Sequence, residues 1–161
     1  MSEKKQVMHW CIKMGICFTF ALLYSLGGSG DFGGIKALRR YVAPAVLFGG
    51  MFYYSGFSWK ALVGLPLSFA SLSLGYGGTD FEYLKIIKRG LYGLANGITT
   101  GLNDLLNKRF AFCAIHIALL ICFYINFGVY NPLPDARIEE GCLGFLMAFM
   151  PMMNARVKNE I

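Results

Sequence analysis

The residues best suited to chemistry follow one another at helical spacing near the middle of the chain. Asn96, Thr100 and Asn103 lie four and three residues apart, and Asn107 follows four residues later. On a helix this spacing puts the four side chains, here called the polar stripe, on one face. Because an apolar environment penalises an amide that has no partner, the stripe is expected to face protein, water or a substrate. It indicates either the lining of a cavity or hydrogen bonding between helices.

Two ionisable side chains accompany the polar stripe. Asp104 lies beside it, and pairing with Lys108, four residues later, is the expected arrangement. His116 lies within the next apolar segment, three residues after Cys113 and on the same helical face. A Cys-x-x-His pair supplies only two of the four ligands that a zinc site needs. We therefore predict no metal and no cofactor, and we favour a hydrogen-bonded His116 over a proton relay.

A second stripe, of glycines, runs beside the polar one. Gly93, Gly97 and Gly101 repeat at intervals of four residues. On a helix they form a groove in which another backbone can approach closely, as in membrane helix pairs. Packing within the chain is the favoured interpretation, and contact between subunits is the alternative.

Charged residues gather in three clusters. Two are basic and flank apolar segments, where they either anchor the chain at a membrane surface or hold a phosphate-bearing headgroup. The third lies in a polar loop before the last apolar segment, and is either a mouth that attracts cations or a set of acids favoured at a helix start. The clusters are Lys36, Arg39 and Arg40; Lys85, Lys88 and Arg89; and Asp135, Glu139 and Glu140.

The segments that carry these residues are apolar enough for lipid. Phe110–Tyr130 contains no Lys, Arg, Asp or Glu and has the length that a helix needs to cross a bilayer core. Across the chain 56% of residues are hydrophobic and only 15% are charged, against about 25% charged in typical soluble domains. A soluble protein of 161 residues would have difficulty covering so much apolar surface.

We therefore predict an all-α fold, a polytopic integral membrane bundle of about five transmembrane helices plus one short re-entrant or interfacial helix. Residues 1–161 form a single membrane domain in this prediction. Segment 90–106 is only mildly apolar, and is interpreted as a helix that packs inside the bundle or crosses partway. For the first segment, a cleaved secretory signal within residues 1–30 is the alternative. The predicted spans are 9–27, 41–57, 61–76, 110–130 and 142–155.

The net charge of +6 would indicate nucleic acid in a soluble protein. Here the basic residues lie beside apolar segments, so the lipid bilayer is the expected partner and nucleic acid is not. The positive-inside rule places both basic clusters on the cytoplasmic side and the acidic loop outside, in a bacterial-type inner (plasma) membrane. The five cysteines have irregular spacing and indicate no disulfide framework.

The expected function is that of a channel- or transporter-like protein, or of a membrane-complex subunit, without catalytic activity. Either a homo-oligomer or a larger membrane complex is expected, because about five helices are few for a complete pore. The alternative is a membrane enzyme or binder that acts on lipid-linked phosphate through the cytoplasmic-face basic clusters. The sequence contains no P-loop, no GxSxG elbow and no HExxH helix.

Overall fold

Within the described residues, helices cover most of the apolar segments identified in the sequence. The computed structural model describes residues 2–28, 33–55, 57–67, 70 and 82–154, and this part of the chain contains no strand, so the all-α prediction is confirmed. A 3₁₀ turn covers Trp59–Val63, and a π-helical turn, Asn126–Tyr130, extends the fourth helix. The long helices are α1 (Glu3–Gly28), α2 (Gly33–Ser55), α3 (Glu82–Leu106), α4 (Phe110–Ile125) and α5 (Ala136–Asn154).

The chain divides into two compact units, which are described separately. The three-helix unit comprises Met1–Phe57 and Asp135–Ile161, and therefore α1, α2 and α5. The hairpin unit comprises Ser58–Pro134, with the 3₁₀ turn, α3 and α4.

In the three-helix unit, α1 packs against both α2 and α5 and runs antiparallel to both. His9 contacts Tyr54 near the start of α1, and Gly50 faces Ile16 further along. At the other end of α1, Gly141 of α5 faces Ser25. The first turns of α2 and α5 therefore lie at the same end of the unit.

This arrangement places two of the charged clusters at the same end of the three-helix unit. Lys36, Arg39 and Arg40 belong to the first turns of α2, and Glu139 and Glu140 to the first turns of α5. The positive-inside rule, with segment 90–106 crossing only partway, predicted these clusters on opposite sides of the membrane. The side chains of the basic cluster lie outside the described part of the chain.

The start of α5 is also earlier than predicted. The helix begins at Ala136 rather than at residue 142. Asp135 caps it, since its Oδ1 accepts a hydrogen bond of 2.9 Å from the backbone N–H of Arg137. Glu139 and Glu140 are thus helical residues near a positive helix end, which agrees with the interpretation of this cluster as acids at a helix start, and only Asp135 precedes the helix.

In the hairpin unit, α3 and α4 form an antiparallel pair. Gly93 faces Ile121, and Gly101 faces Cys113. Segment 90–106 belongs to one uninterrupted helix of 25 residues that packs along α4. Lys108, with a φ of 61°, makes the turn between the two helices.

Within the described residues, two helices are long and apolar enough to cross a membrane, so the predicted number of about five transmembrane helices is not confirmed. They are Glu3–Leu26, in α1, and Phe110–Tyr130, which combines α4 with its π-helical turn. Val42–Tyr54, in α2, is apolar but shorter. Of the predicted span 61–76, only residues 61–67 and 70 are described, and the charged tail 155–161 lies outside the described residues.

Candidate functional site

The polar stripe of α3 faces α4 and the 3₁₀ turn of the hairpin unit. The Nδ2 of Asn96 donates hydrogen bonds to the hydroxyl of Tyr124 at 2.8 Å and to the carbonyl oxygen of Tyr92 at 3.0 Å. The hydroxyl of Thr100 lies 2.5 Å from the Nε2 of His116. These contacts connect α3 to α4 at two points that are one helical turn apart on α3.

The network around Thr100 determines which nitrogen of His116 carries a proton. The Thr100 hydroxyl donates its one hydrogen to the carbonyl oxygen of Asn96 at 2.9 Å. The contact with His116 therefore requires an N–H on Nε2 that donates to the Thr100 oxygen. His116 is buried, with 1% of its surface exposed, and this arrangement suits a neutral imidazole that joins two helices.

Asn103, in the carboxyl-terminal part of the polar stripe, is hydrogen-bonded to the residue that precedes the 3₁₀ turn. The backbone N–H of Ser58 donates to the Oδ1 of Asn103 at 3.0 Å. Gly64 packs closely on α3, where a Cβ would lie 3.1 Å from the carbonyl oxygen of Ile98. Three of the four stripe residues thus bond to groups of the hairpin unit itself. The fourth, Asn107, has a buried Nδ2 that makes no hydrogen bond within the described residues.

Asp104 pairs with a different residue from the one expected. Its Oδ1 lies 3.5 Å from a guanidinium nitrogen of Arg109, and the side chain is 3% exposed. Lys108, the predicted partner, is exposed because its left-handed backbone conformation is part of the turn. The carbonyl oxygen of Asp104 also accepts the backbone N–H of Arg109 at 2.8 Å, so this pair closes the hairpin.

The glycine stripe is the contact surface between the two helices of the hairpin. A Cβ at Gly93 would lie 2.5 Å from the Cα of Ile121 and 2.7 Å from the carbonyl oxygen of Leu120. At Gly97 it would lie 3.0 Å from the Cα of Ile117. At Gly101 the nearest atom would be a sulfur, that of Cys113, at 3.3 Å. The closest backbone approach is therefore at Gly93.

The basic cluster of the hairpin unit lies in the first turns of α3. Arg89 packs against the π-helical turn that ends α4, and a Cβ at Gly128 would come within 2.8 Å of its Nε, Cδ and Cζ atoms. Lys85 is exposed and Lys88 partly so. Cations at this position lie beside the carboxyl-terminal, negative end of α4.

Several residues that organise the structure were missed in the sequence. Tyr124, the partner of Asn96, lies in an unbroken apolar run that gives no sign of a polar contact. In the three-helix unit, Gly144 packs on α1, and its four-residue spacing from the buried Ala148 is a signal that could have identified it. His9, Lys13 and Tyr54 also lie together there, although 45 residues separate His9 from Tyr54.

The contacts of the polar stripe with α4 and with the 3₁₀ turn are hydrogen bonds between neutral groups, and the ion pair of Asp104 with Arg109 lies at the turn of the hairpin. Within the described residues no group of three His, Cys, Asp or Glu side chains is placed to hold a metal ion. Asn96, Thr100 and Asn103 each bond to a neighbouring element of the same unit.

Replacing Thr100 with valine tests the contact between Thr100 and His116. Thr100→Val keeps the side-chain shape but leaves Nε2 of His116 without its acceptor, so we expect stability in detergent to fall by about 1 kcal/mol. Thr19→Val is the matched control, because the Thr19 hydroxyl bonds the carbonyl oxygen of Gly15 four residues before it and no other helix. Unfolding titrations of both variants measure the difference. Equal losses would show that Thr100 does not join the helices.

Comparison with known proteins does not place the chain in a family. The chain matches no protein-family model, no curated protein and no solved structure.

Proposed function

We propose that this chain is a small multi-pass membrane protein that acts as a non-catalytic subunit of a membrane assembly. The observation that supports this most is the exposure of its most apolar helix. Phe110–Tyr130 contains no charged residue, yet only 28% of its most apolar window is buried. The core helix of a soluble protein of similar composition would be mostly buried. For Glu3–Leu26 the buried share is 22%.

The outward side chains of these helices are large and apolar. Phe18 and Leu22 of α1 are 61% and 59% exposed. On α4 the exposed residues recur through the helix, so a continuous apolar face results. Lipid tails can cover such a face, whereas water would make it an aggregation site. The exposed large side chains of α4 are Phe110, Phe112, Ile115 and Leu119.

The internal polar groups support a structural role for the chain. Asn96, Thr100 and Asn103 have partners inside the hairpin unit, so they contribute to helix association in an apolar environment. A transport path would instead require polar groups that are available to a solute. This distinction favours a subunit that contributes helices to an assembly over a carrier with its own path.

In this proposal α3 crosses the membrane together with α4. A helix of 25 residues is about 37 Å long, which exceeds the roughly 30 Å of a bilayer core. Its polar stripe is covered by neighbouring elements, so its mild hydropathy does not prevent insertion. Lys85 and Lys108 then lie on opposite sides of the membrane, although the partial crossing had placed them on the same side.

Labelling of introduced cysteines tests this topology. In a chain whose native cysteines are replaced, we expect Lys85→Cys and Lys108→Cys to react with an impermeant maleimide from opposite sides of sealed vesicles. Arg137→Cys and Lys36→Cys are expected to react from the same side, because the first turns of α2 and α5 share one end of their unit. If Lys85→Cys and Lys108→Cys reacted from the same side, α3 would cross the membrane only partway, as first predicted for segment 90–106.

The assembly itself is tested by cross-linking in intact membranes, followed by purification in a mild detergent. We expect a particle larger than the 17.9 kDa chain, formed by several copies or with a second polypeptide in fixed ratio. The purified chain in proteoliposomes is expected to give no solute flux. A monomer that supports flux, with the flux reduced by Thr100→Val, would replace the subunit proposal with a carrier.

A further inference from the structure

Two basic residues of α1 are held by a single buried tyrosine in the three-helix unit. Tyr54, near the end of α2, has none of its surface exposed. The imidazole ring of His9 meets the Tyr54 ring edge-on, with 5.5 Å between the ring centroids. The Nζ of Lys13 lies 5.2 Å from the centroid of the same ring, within the range of a cation–π contact.

The contact with Tyr54 also orients the histidine. The Nδ1 of His9 lies 3.3 Å from the Tyr54 hydroxyl. When that hydroxyl donates to Nδ1, the proton of the neutral ring is on Nε2, on the far side from Tyr54. The Nε2–H and the Lys13 ammonium are then two donors one helical turn apart on one face of α1, where neighbouring side chains are about 5–6 Å apart. Both side chains are partly exposed.

The charges of this part of α1 favour an anion. Lys5 lies one turn before His9, so the residues at positions 5, 9 and 13 are all basic. The only carboxylate of α1 is that of Glu3, six residues before His9 and therefore about 120° away around the helix. A cation in the first turns of a helix, such as Lys5 here, opposes the helix dipole, whereas a bound anion favours it.

We propose that His9, Lys13 and Tyr54 form a binding site for a phosphate group, supplied by the headgroup of an anionic lipid. Tyr54 positions the other two residues, while Nε2 of His9 and Nζ of Lys13 contact the phosphate oxygens. Trp10 and Tyr53, both exposed, lie next to the site, and such side chains are enriched at the level of lipid headgroups. The lipid as the source rests on the membrane placement proposed above, whereas the phosphate chemistry does not.

The experiment measures phosphate binding to the full chain in detergent. Native mass spectrometry counts bound phosphatidylglycerol, with phosphatidylcholine as the zwitterionic comparison, and phosphorus NMR follows inorganic phosphate. The variants are Lys13→Met, His9→Phe and Tyr54→Phe, which keep the packing of the side chains they replace. Lys60→Met is the control, because it removes the same charge from an exposed position in the other unit. The alkylation rate of the buried Cys17 shows that each variant is folded.

We expect Lys13→Met and His9→Phe each to weaken phosphatidylglycerol binding by about tenfold, since each removes a donor to a charged group. Tyr54→Phe should weaken it severalfold, and Lys60→Met should have no effect. Inorganic phosphate that binds with the same dependence on the variants, and displaces the lipid, would identify free phosphate as the source. Binding that is equal in all variants, or that Lys60→Met weakens as much, would overturn the site. Because inorganic phosphate tests the site without a membrane, failure of the site and failure of the membrane placement are distinguishable.

Discussion

Replacing Gly93 with alanine is expected to separate α3 from α4. The new methyl carbon would lie 2.5 Å from the Cα of Ile121, 2.7 Å from its nitrogen and 2.7 Å from the carbonyl oxygen of Leu120. All three atoms belong to the backbone of α4, so no side chain can move aside. We expect a loss of about 3 kcal/mol in the free energy of unfolding, at the upper end of the usual cost of overpacking.

The thiol of Cys113 reports this separation. It is 5% exposed and lies at the same contact, near Gly101, so it reacts with N-ethylmaleimide only when the hairpin opens. A destabilisation of about 3 kcal/mol would raise its alkylation rate in detergent roughly a hundredfold.

Gly90→Ala is the matched control, on the same helix and nearly one turn earlier. A Cβ there would meet only the Cδ1 of Ile125, at 3.7 Å, which is an ordinary contact. Alanine also favours a helix over glycine by about 0.5–1 kcal/mol. Gly90→Ala is therefore expected to leave the Cys113 rate unchanged or lower. If the two variants behaved alike, the close approach at Gly93 would not stabilise the hairpin.

The second large effect is expected in the three-helix unit, from Gly144→Ala. Its methyl group would lie 2.6 Å from the carbonyl oxygen of Phe20 and 2.8 Å from the Cβ of Tyr24. These atoms are fixed by the α1 backbone, so α5 must move away from α1. We expect a loss of about 2–3 kcal/mol, and a rise of at least tenfold in the alkylation rate of Cys17, which is fully buried on α1.

Gly49→Ala provides the comparison for Gly144→Ala. Gly49 is an exposed helical glycine of the same unit, and a Cβ there would have no other heavy atom within 4 Å. It should leave the Cys17 rate as it is in the parent chain. A Gly144→Ala protein that protects Cys17 equally well would contradict the assigned packing of α1 on α5.

The sequence identified the helix faces better than it identified their partners. The spacing of Gly93, Gly97 and Gly101 was enough to predict a close helix contact, because a period of four residues directly describes a helix surface. This spacing does not identify the partner helix, because the opposite surface on α4 consists of the backbone at Ile117 and Ile121, which has no sequence signature.

The predictions that failed depended on backbone conformation at helix ends. The predicted apolar span began at residue 142, because hydropathy identifies only the apolar part of a helix, whereas α5 begins at Ala136, where Asp135 caps it. The Asp104–Lys108 pair follows from helical spacing, but Lys108 has a positive φ and the helix has already ended at Leu106. In both cases the result depended on the backbone conformation at a helix end, which the spacing of side chains does not describe.

The central claim is that lipid covers the outer apolar faces of α1 and α4, and alkaline extraction of membranes that contain the chain tests it most directly. We predict that the chain stays in the membrane pellet at alkaline pH and is released only by detergent, because Phe110–Tyr130 exposes a charge-free surface about as long as the bilayer core is thick. Recovery of the chain in the alkaline supernatant, as a monodisperse species in buffer without detergent, would contradict the claim.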